Sequence, residues 1–440
     1  MVVSYVDATA GAVEHCEAMA RDFPDLASTY GKIAEYCQQK LWHPLTLTIL
    51  DFCSQPSNVR TLNNGGQHSF LALYNHIVSA VDSKLNPLSL ARIAALIAQV
   101  LAPHDMTAAK AMLENLLQKE KEQQQSASSV SPAMVYLESK LSLLTLQPYL
   151  QTDAGATEQD PDKKKEQLQA VKAVMTKNAM KINAHLLEES SRNLSEQCIV
   201  QAAHYEQSMT YYKVVGPPEA FYEQAMSFLN YAPVPTTPEG STLSASSVSS
   251  FTDYRQLAVD LCLAALTGDG VYNLGQVEQT PLLTLLQQTE HAWLVELLQA
   301  CASGNVVLFG ELTKRHEAVI AKQPALVHRA NAVQEKLTLL ALVHLVLEKS
   351  SHERTIPFAE IATRLHIPET QVEWVVMRAL SVGLVEGSMD QVDQTVQVTW
   401  VLPRVLNEKQ MRDLATRFGE WAVKVSQTKD YMQEQTPTFA

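Results

Sequence analysis

The feature that most limits what this chain can fold into is its rhythm. Up to about residue 350, one amphipathic helical stretch follows another, with no strand-like alternation between them. In Leu26–Leu41 the apolar residues Leu26, Tyr30, Ile33, Ala34 and Cys37 recur every three or four positions, so they share one helical face. Leu45–Phe52 follows the Trp42-His43-Pro44 corner, and then come Phe70–Val81, Leu88–Leu101, Ala108–Glu122 and Ala133–Leu146. Asn86-Pro87 and Ser131-Pro132 are start signals, because a polar cap followed by proline suits the first helical turn. Helices this short cannot bury their own stripes and must stack. The expectation is a mostly α chain whose N-terminal part is a helical-repeat solenoid, although no sharp consensus repeat is visible. Composition points the same way. Only 15 of 440 residues are glycine and 7% are aromatic, which argues against the turn-rich sandwiches, barrels and propellers.

Three polar stretches interrupt the pattern. Lys119–Ser131 reads as a frayed helix end and Gln151–Glu166 as a mobile loop. Pro233–Ser250 is rich in Pro, Ser and Thr without an apolar period, and reads as a disordered insertion between two helices.

After residue 350 the grammar changes. Thr355-Ile356 reads as a short strand, and Pro357–Leu365 as a helix opened by its proline. His366-Ile367-Pro368 is a tight turn, followed by a helix over Glu369–Val382 that Gly383 caps. Val372, Val375, Val376, Ala379 and Leu380 share one face of it. Leu384–Asp390 is strand-like. Gln394–Val401 alternates, with Val396, Val398 and Trp400 expected on one side and Gln397 and Thr399 on the other. Strand, helix, turn, helix and a two-stranded wing is the order of a winged helix-turn-helix. Asn407–Glu434 then forms one long helix. Met411, Leu414, Phe418, Trp421 and Val425 fall at alternating steps of three and four, a heptad seam that Met432 continues. The seam either folds back on its own domain or joins a bundle with helices of other chains. Its narrowness and its place at the chain end favour the bundle.

Charge excludes some functions. The formal net charge is 34 − 47 = −13, which repels nucleic acid unless a local basic patch exists. The winged region supplies none. Between Ser351 and Arg404 four basic residues (Arg354, Arg364, Arg378, Arg404) face seven acidic ones (Glu353, Glu360, Glu369, Glu373, Glu386, Asp390, Asp393). Glu369 and Glu373 sit at the end of the recognition helix that would approach base edges. Protein contact is the better use of this module. A strand at a sheet edge, as Gln394–Val401 is expected to be, offers unpaired backbone groups to another chain. Val396, Val398 and Trp400 are therefore candidate interaction residues, together with the seam residues Met411, Leu414, Phe418, Trp421 and Val425.

No enzyme signature is present: neither HExxH, GxSxG, a P-loop nor GxGxxG occurs. Gly268-Asp269-Gly270 reads as a helix cap and turn after Leu257–Leu266, because no following lysine or second acidic cluster makes it a phosphate or metal loop. His185 lies near Glu188 and Glu189 without a second histidine at helical spacing, and His344 sits on an apolar helix. The expectation is no catalytic residue, no metal and no cofactor. The six cysteines are scattered without a CxxC pair, a pattern of free thiols in a reducing compartment. Met1–Asp7 lacks the basic start and apolar core of a signal peptide, and the longest apolar run, Leu337–Leu347, is too short for a bilayer. Cytoplasm or nucleus is the expected location, with no membrane partner.

Four strings carry a family resemblance. Tyr211–Tyr222 reads YYKVVGPPEAFY, Leu257–Asn273 reads LAVDLCLAALTGDGVYN, Arg378–Gly387 reads RALSVGLVEG and Thr399–Leu406 reads TWVLPRVL. In this order they resemble the non-ATPase regulatory subunit 13 family, PCI-domain subunits of the 26S proteasome lid. The likeness covers roughly residues 200–425. It implies an N-terminal helical-repeat arm (1–199), a helical PCI part (200–350, with the insertion 233–250), a winged-helix PCI part (351–405) and a C-terminal bundle helix (406–440). It also implies a non-catalytic scaffold in a hetero-oligomer. Winged helices of neighbouring lid subunits would pack into a horseshoe, C-terminal helices would gather in a bundle, and the arm would reach other parts, including a ubiquitin receptor. The alternatives are a PCI scaffold of the COP9 signalosome or of a translation-initiation complex, and a winged-helix regulator bound to nucleic acid.

Overall fold

The computed structural model describes residues 8–54, 58, 69–124, 131–150, 161–188, 194–232, 253–287, 289–349, 354–402 and 408–435. The expected insertion at 233–250 lies wholly outside them. The chain forms two compact units, Met1–Leu257 and Ala258–Ala440.

The first unit is a stack of helices: α1 (Ala8–Asp22), α2 (Ala27–Gln38), α3 (Trp42–Ser54), α4 (Ser69–Leu73), α5 (Ser79–Val81), α6 (Pro87–Leu101), α7 (Met106–Gln124), α8 (Pro132–Leu150), α9 (Pro161–Glu188), α10 (Leu194–Val215) and α11 (Pro218–Tyr231). Neighbours in sequence are neighbours in space: α1 packs on α2, α2 on α3, α6 on α7, α7 on α8, and α8 through α11 on one another in turn. That is the nearest-neighbour logic of a repeat stack. The core runs from Ala12 and Cys16 through Ile33, Ile49 and Ile97 to Ala203. In α6 the N-cap Asn86 accepts from the Leu88 amide at 2.9 Å and Pro87 opens the first turn. Ala91, Ala94 and Ala98 let neighbouring backbones approach that helix closely.

Two expectations need correction here. Phe70–Val81 is not one regular helix, because a π-helical turn over Tyr74–Val78 interrupts it where His76 stacks on His15 at 4.6 Å. Gln151–Glu166 is not all loop either: 151–160 lies outside the described residues, and Pro161–Glu166 opens α9, with Pro161 at a helix start. A boundary at 199/200 would fall inside α10.

That helix is buried on nearly every side although it carries Gln201, His204, Glu206, Gln207, Ser208 and Thr210. The Glu206 carboxylate accepts from the Lys140 ammonium of α8 at 2.6 Å, with both side chains fully buried. Beside it, Lys181 of α9 reaches Glu138 of α8 at 2.8 Å. Burial pushes the His204 imidazole down from 6.5 to about 4. Its folded value lies below its unfolded one, so the stability it confers is complete above about pH 6.5 and is lost as pH falls through about 4. The urea midpoint of the free chain is expected to drop between about pH 7 and about pH 5, and His204→Leu to remove part of that drop. Equal drops in the two proteins would show that His204 is not held neutral by burial.

The boundary between the units falls within α12 (Tyr254–Thr267), and the second unit continues through α13 (Leu274–Glu278), α14 (Leu282–Leu286), α15 (Ala292–Ala302), α16 (Val306–Arg315), α17 (Glu317–Ile320), α18 (Pro324–His328) and α19 (Ala330–Glu348). Gly268-Asp269-Gly270 is the turn that ends α12. The Gly268 amide donates to Ala264 at 2.7 Å, and Gly270 takes a φ of 80°. The buried Lys336 ammonium donates to the carbonyls of Ala265 (2.5 Å) and Gly268 (3.0 Å), and Arg329 donates to Thr267 (2.9 Å). Two cations thus satisfy the free carbonyls at a helix C-terminus. The apolar run expected to end after 11 residues belongs to α19, which by length and composition could cross a bilayer. Here it is a core helix, packing Leu339, Leu342, Val343 and Val346 against the winged module.

That module comprises β1 (Thr355–Pro357), α20 (Phe358–Leu365), α21 (Glu369–Val382), β2 (Val385–Asp390) and β3 (Thr395–Val401). His366 (φ 55°) and Gly383 (φ 74°) end the two helices in the left-handed conformation. The sheet order is β1-β3-β2, all antiparallel. β3 is therefore the central strand, which corrects its reading as an edge: β1 returns to pair with it. Its alternation also fails at one end. A bulge lets Val398 face Gly387 while Trp400 faces Glu386, and the extra residue reverses the side-chain direction beyond it. Gly387 makes the bulge possible, since a Cβ there would stand 2.1 Å from the Gln397 carbonyl oxygen. Val401 packs against the core and Trp400 turns outward, 39% exposed.

Candidate functional site

The expected interaction residues separate into two groups. Val396 and Val398 are core residues, packed with Ile356, Phe358, Ile361 and Val376, and they are not available to another chain. Trp400 is at the surface for the reason just given.

The seam residues behave differently. α22 (Glu408–Gln435) is helical throughout, and every described side chain from Met411 to Gln433 is exposed. Met411, Leu414 and Val425 are open to solvent, and Phe418 and Trp421 are 62% and 64% exposed. Among the described residues none buries the stripe in a core. Positions three and four apart on a helix lie one above the other, so these five side chains make a continuous apolar ridge. Met432 extends it, and Tyr431 beside it adds a third exposed ring after Phe418 and Trp421.

Sequence reasoning missed a second surface, on the winged module. Trp374 and Met377 stand one turn apart on the solvent side of α21, opposite the buried Val372, Val375, Val376 and Ala379. The signal was there: α21 has more large apolar residues than one buried face can use. The arginines of this module among the described residues all have partners. Arg364 forks onto Glu348 at 3.0 and 3.2 Å, Arg378 meets Glu335 at 2.8 Å, and Arg354 donates to the Thr399 carbonyl at 3.2 Å. Arg364 and Arg378 are thus held by carboxylates and not spare for a phosphate.

The cysteines are all free thiols, with Cys198 half-buried and the other five buried. Burial pushes Cys53, Cys262 and Cys301 up to about 12, far from the thiolate that nucleophilic chemistry needs. Among the described residues no group of three or more His, Cys, Asp or Glu could hold a metal ion.

Comparison with known proteins finds two family models in succession along the chain. The family model of PSD13 N-terminal repeats matches residues 29–298, and that of the PCI domain matches residues 313–400. The chain is 30% identical over 426 residues to the 26S proteasome non-ATPase regulatory subunit 13 homolog B of Arabidopsis thaliana, covering 97% of this chain and 98% of the relative. It is 26% identical over 435 residues to the 26S proteasome non-ATPase regulatory subunit 13 of Dictyostelium discoideum, covering 98% of each. With the 26S proteasome regulatory subunit RPN9 of Saccharomyces cerevisiae it shares 24% identity over 421 residues, 93% of each. With both family models in their proper order and relatives aligned along nearly its whole length, the chain belongs to the 26S proteasome non-ATPase regulatory subunit 13 family.

Proposed function

We propose that this chain is a non-catalytic structural subunit of the 26S proteasome regulatory-particle lid, where it supports lid assembly and so ubiquitin-dependent protein degradation. The observation that carries the reading is the uncovered apolar ridge of α22, on a chain whose family is that of a proteasome regulatory subunit. Large apolar side chains left in water along a whole helix are a surface awaiting other helices. In this reading α22 joins a bundle with C-terminal helices of neighbouring subunits, and the winged module packs beside other winged modules in a horseshoe. The helical stack serves as an arm toward other parts, a ubiquitin receptor among them. The complex works in cytoplasm and nucleus. The chain makes and breaks no bonds itself; it holds other subunits in place around substrate entry and deubiquitination.

Purification of the tagged full chain from its own cells is expected to bring down the lid as one particle that migrates with proteasome activity. The isolated chain is expected to turn over neither ATP nor a ubiquitin conjugate above a heat-killed control. Recovery of the chain as a free monomer, or in a signalosome or initiation complex without proteasome subunits, would overturn the reading.

A further inference from the structure

The solvent face of α21 lies beside the tip of the β2–β3 wing. Gln391 in the wing donates to the Glu373 carboxylate of α21 at 3.1 Å, which ties the tip to the helix. Trp374 is 54% exposed on this surface and Val392 at the tip is 92% exposed, with Met377 one turn beyond Trp374. Asp390 folds the tip by accepting from the amides of Val392 (2.9 Å) and Asp393 (3.1 Å), so Val392 is presented by a built turn.

Carboxylates outnumber cations around this apolar centre. Glu369 and Glu373 flank it on α21, Asp390 and Asp393 on the wing, and the one cation of α21, Arg378, is paired with Glu335. A winged helix that reads nucleic acid puts cations in these places. With carboxylates instead, the complement is a cationic group carried on an apolar segment. An exposed indole suits such a partner twice over, since it buries apolar area and its ring face attracts a guanidinium or ammonium group.

We propose that this face of α21 and the wing tip docks a Lys/Arg-bearing segment of a neighbouring protein subunit, with Trp374 and Met377 as the apolar anchors. The proposal rests on the assembly reading above and names the partner chemistry of a surface distinct from α22.

Hydroxyl-radical footprinting, read by mass spectrometry at Trp374, tests it on the full chain, free and in the purified particle. Oxidation of Trp374 is expected to slow about tenfold or more on assembly, as for a side chain in the packed centre of an interface. In a Glu369→Lys, Glu373→Lys chain that protection is expected to be lost at physiological salt, while α22 still brings the chain into the particle. Glu369→Gln with Glu373→Gln keeps the shape of the face and is expected to lose part of the protection. Equal oxidation of Trp374 in free and assembled chain would overturn the docking surface alone. Protection that survives charge reversal would mean a purely apolar occupant, and it too would overturn the proposal. So would tight binding of a labelled DNA duplex to the free chain that Trp374→Ala abolishes. A chain that never enters the particle would overturn the assembly reading and this proposal with it.

Discussion

Phe418→Ala combined with Trp421→Ala is expected to keep the chain out of the assembled particle while the free chain stays as helical and as heat-stable as before. Both side chains project from α22 into solvent, so neither contributes to a core that melting would report. Burying a large apolar side chain is worth roughly 1.5–3 kcal/mol relative to leaving it exposed. Losing two from one interface costs several kcal/mol, and each ~1.4 kcal/mol is a factor of ten in affinity. A loss of roughly a hundredfold or more in incorporation is the expected scale, measured by native gel or sedimentation of the tagged chain. Arg417→Ala is the control: it neighbours Phe418 in sequence but lies off the seam, and it should change little. A double variant that unfolds in isolation would show that the ridge serves this chain's own core. One that assembles normally would show that α22 is no handle at all.

What could be read from the sequence follows from how local each feature is. Glu369–Val382 was legible to the residue because proline, a valine stripe and a capping glycine all act within one helix. The α22 seam was legible for the same reason. α1 escaped notice because its buried positions are Ala12, Cys16 and Met19, whose side chains give a weak apolar period. The lysines at the start of α9 read as loop, although lysine is a good helix former and solvent meets most of that helix. Strand order is not local at all. Nothing in Gln394–Val401 announces that β1, about forty residues earlier, pairs on its far side, and the bulge that turns Trp400 outward depends on a glycine in the opposite strand. The proposed docking face on α21 is half legible in sequence: Glu369 and Glu373 already oppose DNA, but the exposure of Trp374 and Met377 depends on which face of the helix the module buries.

The least legible feature carries the second large prediction. Lys140 and Glu206 lie 66 positions apart, and a charged residue in a helix reads as solvated. Only the packing of α8 on α10 makes them a fully buried pair, with the Lys140 ammonium also 5.6 Å above the Tyr136 ring. Removing water from two charges is costly, and their attraction offsets that cost only while both are present. Glu206→Ala or Lys140→Ala is therefore expected to destabilise the free chain by about 3–5 kcal/mol, because each removes the opposite charge from a fully buried ionic group. A domain's whole stability is about 5–15 kcal/mol, so either change would leave the helical stack close to unfolding at growth temperature. Lys140→Met with Glu206→Leu replaces the pair with apolar side chains and is expected to recover most of the loss. Urea unfolding followed at α-helical ellipticity measures all four proteins. Adding Lys140→Met and Glu206→Leu as single variants closes a double-mutant cycle whose interaction energy isolates the pair. Single variants that each cost under about 1 kcal/mol would place the pair in the range of solvated surface bridges. A double variant no better than the singles would show instead that the ion pair sets the alignment of α8 on α10, a geometry that apolar packing alone does not reproduce.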